Sequence, residues 1–160
     1  LKSKEKPKTI KDIQLTFIMR KGPRTINNVE ELFEFLNTKY KVKPNCVWFE
    51  NMSIKNQMSL MANTDILLGV HGNGLTNLLW LPEHAGIIEI FGDYHHYDYQ
   101  IFSEISGIKY FGFLNDINEE ITFKNGTRFR DATGFPNKPI NKLKLKTFQK
   151  SLDEILERIF

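Results

Sequence analysis

The stretch that decides the fold lies between residues 65 and 79 and reads DILLGVHGNGLTNLL. It opens with a short apolar run, is interrupted by closely spaced glycines, and then resumes with apolar residues at helical spacing. This pattern predicts a buried strand, a tight turn and the start of a helix. Ligands of open α/β sheets bind at the carboxyl ends of the strands, so residues 71–77, called the glycine turn below, form a candidate ligand site.

The residue types of the glycine turn suit a phosphate group. Gly72 and Gly74 have no Cβ, so backbone N–H groups there can approach a ligand closely. A helix that follows points its positive end at the same place. Thr76 and Asn77 add short polar side chains, and His71 ends the strand where its imidazole can reach an anion.

Two familiar glycine loops fit this turn poorly. No Gly-Lys-Ser/Thr is present, so the turn is not a P-loop. The third glycine of a dinucleotide fingerprint would fall at Asn77, so a Rossmann NAD site is also imperfect. A buried strand, turn and helix whose glycines serve only packing is the alternative, and the turn alone does not separate it from a ligand site.

The composition predicts one folded domain. The 160 residues are 41% hydrophobic and include thirteen Phe, enough for a sizeable core. The net charge of +3 does not indicate a nucleic-acid binder, although it favours a small anionic ligand. Cys46 is the single cysteine, which excludes an internal disulfide and a cysteine metal cluster. The sequence shows no apolar run long enough to span a membrane and no signal peptide. Because it starts at Leu1 rather than Met, a longer protein is expected.

Alternating strand and helix signals extend outward from the glycine turn. The lysine-rich residues 1–12 are interpreted as a solvated linker before one domain over residues 13–160. The order of the signals predicts an α/β fold, a Rossmann-like parallel sheet flanked by helices. Strands are expected over residues 13–19, 46–50, 66–70, 87–91 and 108–114, and helices after Asn28, over 54–63, after the glycine turn, before Gly107 and within 139–160.

Local signals fix several of these boundaries. Asn28 has a capping-box spacing to Glu31, and Ser53 is a suitable N-cap. Pro82 should stop the helix after the glycine turn, and a hairpin is expected at Asn125-Gly126. The apolar stripe of the second helix is expected to consist of Ile54, Met58 and Met61, with Leu60 alongside.

Charged residues stand where the predicted strands end. Arg20 and Arg24 follow the first strand and could pair with phosphate oxygens, since guanidinium matches them bidentately; exposed loop charge is the alternative. Glu50 could bond ligand hydroxyls or anchor a loop. Glu89 lies inside an apolar strand, and a buried carboxylate is costly unless it is paired. It either faces solvent at the sheet margin or, as we prefer, holds sugar hydroxyls or a basic partner.

Residues 93–99, which read DYHHYDY, place two histidines beside aspartates. Adjacent residues on a helix or a strand do not face the same way, and a third ligand is missing. We therefore interpret the segment as an aromatic loop that leads into a helix, and no metal site is predicted.

Three motifs together resemble a known family. Residues 65–82, DILLGVHGNGLTNLLWLP, followed by IEIF at 88–91, are similar to the signature of family 61 glycosyltransferases, which include O-linked GlcNAc transferases and plant xylan xylosyl- and arabinosyltransferases. The segments RKGPRTINN at 20–28 and FENMS at 49–53 occur upstream in the expected order and spacing. The family commonly has Ala where this chain has Asn73. The match covers roughly residues 13–115.

The resemblance implies a GT-B architecture, in which two Rossmann-like halves enclose the active site. These motifs belong to the carboxyl-terminal half, which binds the donor, a nucleoside diphosphate sugar. The reaction implied is an inverting transfer to a hydroxyl of a glycan or glycoprotein acceptor, usually without a bound metal. An amino-terminal acceptor-binding domain is then an expected partner.

The resemblance also implies roles for individual residues. Arg20 and Arg24 become diphosphate ligands, and Glu50 and Glu89 become candidates for ribose, base or sugar contacts. A general base must take the acceptor's proton; His71 and Glu89 are the catalytic candidates, unless the base lies in an amino-terminal half. The expected donor site consists of Arg20, Arg24, Asn27, Glu50, His71, Gly72, Asn73, Gly74, Leu75, Thr76 and Asn77.

Two other function classes stay open. A non-catalytic α/β interaction domain could keep this fold without the chemistry. A dinucleotide-dependent oxidoreductase needs an acidic residue after its glycine turn, whereas Glu50 precedes it. The compartment is also open: a eukaryotic family member is expected in the secretory pathway and any other in the cytoplasm. The sequons at 51–53 and 125–127 arise easily by chance.

Overall fold

A parallel β-sheet forms the centre of the structure, a computed structural model that describes residues 5–7, 9–92, 96–115 and 139–160. Within these ranges the chain forms five strands, β1 (Leu15–Ile18), β2 (Asn45–Val47), β3 (Ile66–Val70), β4 (Gly86–Phe91) and β5 (Lys109–Leu114). The α-helices of the same ranges are α1 (Val29–Tyr40), α2 (Ile54–Met61), α3 (Asp98–Ile105) and α4 (Leu145–Ile159). Short 3₁₀ helices cover Ile10–Asp12, Phe49–Asn51 and Asn73–Trp80.

The strand order is β2-β1-β3-β4-β5, and every neighbouring pair is parallel. From β1 the chain crosses to one edge of the sheet, and from β3 it proceeds to the other. The β1/β3 pair is therefore a topological switch point, where a crevice for ligands forms outside the carboxyl ends of the strands. The predicted α/β fold with a parallel, helix-flanked sheet is confirmed.

Helices cover both faces of the sheet, which explains why the central strand β3 is apolar along its whole length. Alternate residues of β3 enter different core clusters. Ile66, Leu68 and Val70 pack with residues of α1 and α4, whereas Leu67 packs with residues of α2, α3 and the 3₁₀ helix Asn73–Trp80. This alternation follows from the two-residue period of a strand.

Most predicted elements are present within two residues of their expected ends, and the terminal helix lies inside the predicted range 139–160. That helix, α4, buries a stripe that repeats at helical spacing and packs against the sheet. The helix predicted after the glycine turn is a 3₁₀ helix, and it ends before Pro82 as expected. Ser53 caps α2, because its hydroxyl accepts a hydrogen bond from the Asn56 N–H. The expected hairpin at Asn125-Gly126 lies outside the described residues.

Three local predictions are wrong. The second strand ends at Val47 rather than residue 50, because the chain turns into the 3₁₀ helix Phe49–Asn51. The capping box at Asn28 is not formed, since its carboxamide oxygen accepts a hydrogen bond from the distant Leu143 N–H at 2.7 Å. Ile54 lies at the start of α2 and is 71% exposed, so it does not belong to the apolar stripe. Met61 is the buried residue of this helix.

The expected linker contains local structure. Ile10–Asp12 forms a 3₁₀ helix, and the carboxylate of Asp12 accepts hydrogen bonds from the backbone N–H and the hydroxyl of Thr9 at 3.0 and 2.9 Å. Lys6 also donates to the carbonyl of Phe160 at 3.2 Å. The domain boundary between residues 12 and 13 stays a prediction.

Candidate functional site

A cleft of about 490 Å³ opens at the carboxyl ends of β1 and β3, at the topological switch point. Three segments that are distant in sequence form its walls: the loop after β1, the start of α2 with the 3₁₀ helix before it, and the glycine turn. The predicted site residues in its lining are Arg20, Arg24, Glu50, Gly72, Asn73, Gly74, Leu75 and Asn77.

Both arginines contact the same backbone atom of the glycine turn. The guanidinium of Arg20 donates to the carbonyl oxygen of His71 at 2.9 Å, and that of Arg24 donates to it at 3.3 Å. Arg24 has a left-handed backbone with φ of +63°, a conformation that is uncommon outside glycine. The loop after β1 thus folds back so that two positive charges converge on the cleft.

Gly72 is required by this arrangement. A Cβ atom there would lie 1.9 Å from Nη1 of Arg20, and the φ of +153° is accessible essentially only to glycine. Gly74 packs closely against β1, because its Cβ would lie 3.1 Å from Cγ2 of Ile18. The glycines therefore seat the turn directly on the arginine and on the strand beneath it.

Glu50 lines the cleft although the strand predicted to carry it ends earlier. Its 3₁₀ helix is held by Gln57, whose side-chain amide donates to the carbonyl oxygens of Phe49 and Met52, both at 3.0 Å. Lys21 also lines the cleft and lies over the ring of Trp48 at 5.4 Å. The sequence analysis did not assign Lys21, Phe49 or Gln57 to the site. The basic run at 20–24 could have indicated Lys21, whereas Phe49 and Gln57 reach the cleft only through the tertiary fold.

Three predicted donor residues, Asn27, His71 and Thr76, are not among the residues that line the cleft. The backbone N–H of Asn27 donates to the carbonyl of Ile140 at 2.9 Å, and its carboxamide contacts the side chain of Asn141 at 3.3 Å. Thr76 is exposed on the 3₁₀ helix Asn73–Trp80, which packs against α3. Their assignment to a donor site stays a prediction.

The two catalytic candidates meet beneath the cleft, on the sheet face covered by α3. Nδ1 of His71 lies 2.5 Å from Oε1 of Glu89, and the hydroxyl of Tyr110 donates to Oε2 of Glu89 at 2.6 Å. Glu89 is fully buried and His71 is 5% exposed. The interpretation of Glu89 as a carboxylate with a basic partner is confirmed, and the solvent-facing alternative is wrong.

The sheet makes room for this buried carboxylate. In register, Glu89 stands between Gly69 of β3 and Gly112 of β5. A Cβ at Gly112 would lie 2.4 Å from the hydroxyl of Tyr110, and one at Gly69 would lie 3.2 Å from Cβ of Ile18. Both neighbouring strands thus lack a side chain beside Glu89.

Burial is the largest influence on the pKa of Glu89. Desolvation raises the pKa of Glu89, and the hydrogen bonds from His71 and Tyr110 oppose that rise. The pKa of Tyr110 is well above its ordinary value because the hydroxyl is buried and lies beside the carboxylate. The ring of His71 stacks on Phe91 and His96 at centroid distances of 5.4 and 5.2 Å.

Within the described ranges, no group of three His, Cys, Asp or Glu side chains is placed to hold a metal ion. The same ranges contain no helix that combines the length and the apolar character needed to cross a membrane.

Comparison with known proteins identifies the family to which this sequence belongs. The profile of Glycosyltransferase 61 matches residues 1–88, more than half of the chain. The chain belongs to glycosyltransferase family 61. The resemblance inferred from the three motifs is thereby confirmed, and the family match includes the loop after β1 that carries Arg20 and Arg24 (the arginine loop), Glu50 and the glycine turn.

Curated relatives of this family 61 chain are named EGF domain-specific O-linked N-acetylglucosamine transferase. The protein from Drosophila melanogaster is 34% identical over 99 residues, 61% of this chain and 19% of the relative. Those from Xenopus laevis and Mus musculus are 32% identical over 107 and 111 residues, 65% and 68% of this chain and 20% and 21% of each relative. The chain therefore spans about a fifth of the length of the curated relatives it matches.

Proposed function

We propose that this chain is the donor-binding part of an inverting glycosyltransferase, which moves a sugar from a nucleoside diphosphate to a hydroxyl of a glycan or protein. The observation that carries the proposal is the convergence of Arg20 and Arg24 on the glycine turn at the β1/β3 switch point. In a family 61 chain, this is the place where a phosphorylated donor is expected.

The charges of the cleft support a diphosphate ligand. Three cationic side chains line it, Arg20, Lys21 and Arg24, against the single carboxylate of Glu50 among the described lining residues. Guanidinium groups match phosphate oxygens with two parallel hydrogen bonds. The glycine turn adds backbone N–H groups that no side chain obstructs. The phosphates are thus assigned to the side of the cleft that the arginines and the turn share.

The proposed chemistry is charge stabilisation. The acceptor oxygen attacks the anomeric carbon from the face opposite the diphosphate, which departs with the electron pair of the broken C–O bond, so the configuration inverts. The acceptor proton passes to a general base. Arginines already oriented by the carbonyl of His71 stabilise the charge that develops on the leaving group. Metal independence is part of the proposal because the family resemblance implies it.

Glu50 is proposed to contact donor hydroxyls or the base. Glu50 is an exposed residue that lines the cleft, and Gln57 fixes the 3₁₀ helix that carries it. A carboxylate accepts hydrogen bonds from paired hydroxyls, as dinucleotide-binding folds do with ribose. N-acetylglucosamine is the first sugar to test, because the curated relatives are named for its transfer to EGF domains.

The general base is proposed to lie outside the described residues of this chain, in an amino-terminal acceptor-binding domain. Glu89 has no exposed surface, and the ring of His71 is enclosed by aromatic side chains. A group in that environment cannot take a proton from an acceptor hydroxyl without rearrangement of its neighbours.

Calorimetric titration tests the proposal. The chain is titrated with ADP, CDP, GDP and UDP, first in chelator and then with Mn²⁺. We expect one of them to bind in chelator, and Arg20→Ala to weaken that binding at least tenfold, since a charged hydrogen bond contributes about 1.5–3 kcal/mol. Lys150→Ala removes the same charge from an exposed position of α4 and should leave the affinity unchanged. Absence of binding to all four, or equal affinity of both variants, would overturn the proposal.

A further inference from the structure

We propose that Tyr110 and Glu89 are positioning residues for the phosphate-binding arginines, and that they act through His71. This inference rests on the proposed function of the cleft and deepens it. It assigns a role to Tyr110, whose strand β5 lies beyond the part of the chain that matches the family profile.

The contacts form a continuous path across the sheet. The hydroxyl of Tyr110 on β5 donates to Glu89 on β4 at 2.6 Å, and the other carboxylate oxygen lies 2.5 Å from the ring of His71, which follows β3. The carbonyl of His71 then accepts from both arginines that follow β1. The path therefore starts beside α3 on one face of the sheet and ends at the cleft.

His71 is held to β4 by two separate bonds. Its backbone N–H donates to the carbonyl of Ile90 at 2.9 Å, and its ring contacts Glu89. Phe91 and His96 stack on the ring, and Tyr99 lies 5.5 Å from it, so the imidazole has little room to turn. With the N–H and the side chain both held, the Cα of His71 is anchored, which restricts where the carbonyl that orients the arginines can lie.

Packing alone does not explain a carboxylate at this position. A buried ionisable group is expensive, and a well-packed apolar side chain often stabilises a core more. Glycine in a strand interior also weakens the strand, yet Gly69 and Gly112 flank Glu89 in register on both sides. The sheet gives up apolar packing at three adjacent positions, and what it gains is a fixed orientation of His71.

Other charged or titratable groups surround the network. Asp98 and Tyr99 reach it from α3, His96 from the segment before that helix, and Arg20 from the loop after β1. A substitution that changes charge would disturb all of these groups together. Tyr110→Phe is therefore the sharpest probe, because it removes one hydroxyl and no charge.

The test is a double-mutant cycle on nucleoside diphosphate affinity, measured by calorimetry with whichever of ADP, CDP, GDP and UDP binds the wild-type chain. We expect Tyr110→Phe to weaken binding roughly three- to tenfold, as loss of one positioning hydrogen bond implies. In an Arg20→Lys background the same substitution should have a clearly smaller effect, because the two residues act through one contact path. Tyr40→Phe is the matched control: it removes a comparable hydrogen bond, to Asp153 at 2.5 Å, far from the cleft.

The outcomes separate the two proposals. Failure of the wild-type chain to bind any nucleoside diphosphate contradicts the proposed function itself. Wild-type binding that depends on Arg20, together with an unchanged affinity in Tyr110→Phe or an effect equal in both backgrounds, overturns the positioning role alone. Glu89→Gln, which keeps the shape of the side chain, is the second variant should Tyr110→Phe not fold, and an unchanged affinity there overturns the role equally.

Discussion

At the scale of single residues, Glu89 shows how far the sequence reveals a buried polar residue of the candidate site. A carboxylate inside an apolar strand predicts a partner, because an unpaired buried charge is costly. Which partner it has depends on register and on the glycines beside it, neither of which the strand's own residues encode. Tyr110, which completes the network, could not be identified from the sequence. Its hydroxyl reaches Glu89 only because β5 pairs with β4 and Gly112 leaves room for it.

The raised pKa of Glu89 predicts how stability depends on pH. Because burial raises its pKa above the ordinary 4.5 in the folded state, the folded chain holds this proton more tightly than the unfolded chain. The stabilisation by Glu89 is thus fully present below pH 4.5 and is lost as the pH rises through the folded-state pKa. The free energy of unfolding of the wild type minus that of Glu89→Gln should therefore fall between pH 4.5 and neutral pH. Urea unfolding across this range measures it; a difference that rises with pH would contradict the assignment.

At the scale of elements, local patterns were sufficient to predict a helix or strand whose own apolar residues, at helical or strand spacing, form its buried face. The stripe of α4 predicted a helix on the sheet, and apolar runs predicted β1, β3 and β4. Local patterns gave the wrong prediction where a side chain forms a hydrogen bond with a residue from another element. The carboxamide of Asn28 bonds to Leu143 instead of capping α1, and the chain after β2 turns into a 3₁₀ helix that Gln57 of α2 holds in place. Neither contact could be inferred from neighbouring residues.

The packing of α4 on the sheet makes a prediction of its own. Ile155 is fully buried and packs closely against Gly86 of β4, because a Cβ at that glycine would lie 3.0 Å from Cγ2 of Ile155. Ile155→Ala should lower the free energy of unfolding by about 2–5 kcal/mol, because it leaves a cavity between helix and strand. Glu157→Ala, on the exposed side of α4, should change it by less than about 0.5 kcal/mol. Urea denaturation of both variants measures this, and similar values for the two would show that α4 does not anchor the sheet.

For the whole molecule, the parallel sheet explains why segments distant in sequence form one cleft. The strands leave the arginine loop and the glycine turn side by side at the β1/β3 switch point, as an alternating strand–helix order predicts. The motif residues of the cleft were accordingly foreseen, since they end predicted strands. The shared contact of both arginines with the carbonyl of His71 was not, because backbone hydrogen bonds of a loop leave no trace in residue types.

The central claim is that this cleft holds the phosphates of a nucleoside diphosphate. Its most direct test is to follow the backbone amides of the ¹⁵N-labelled chain by NMR while the best-binding of ADP, CDP, GDP and UDP is added in chelator. The account predicts that the largest shift changes fall on residues 20–24 and 71–77, with little change along the helix α4. Largest changes on α4, or none at saturating nucleotide, would contradict it.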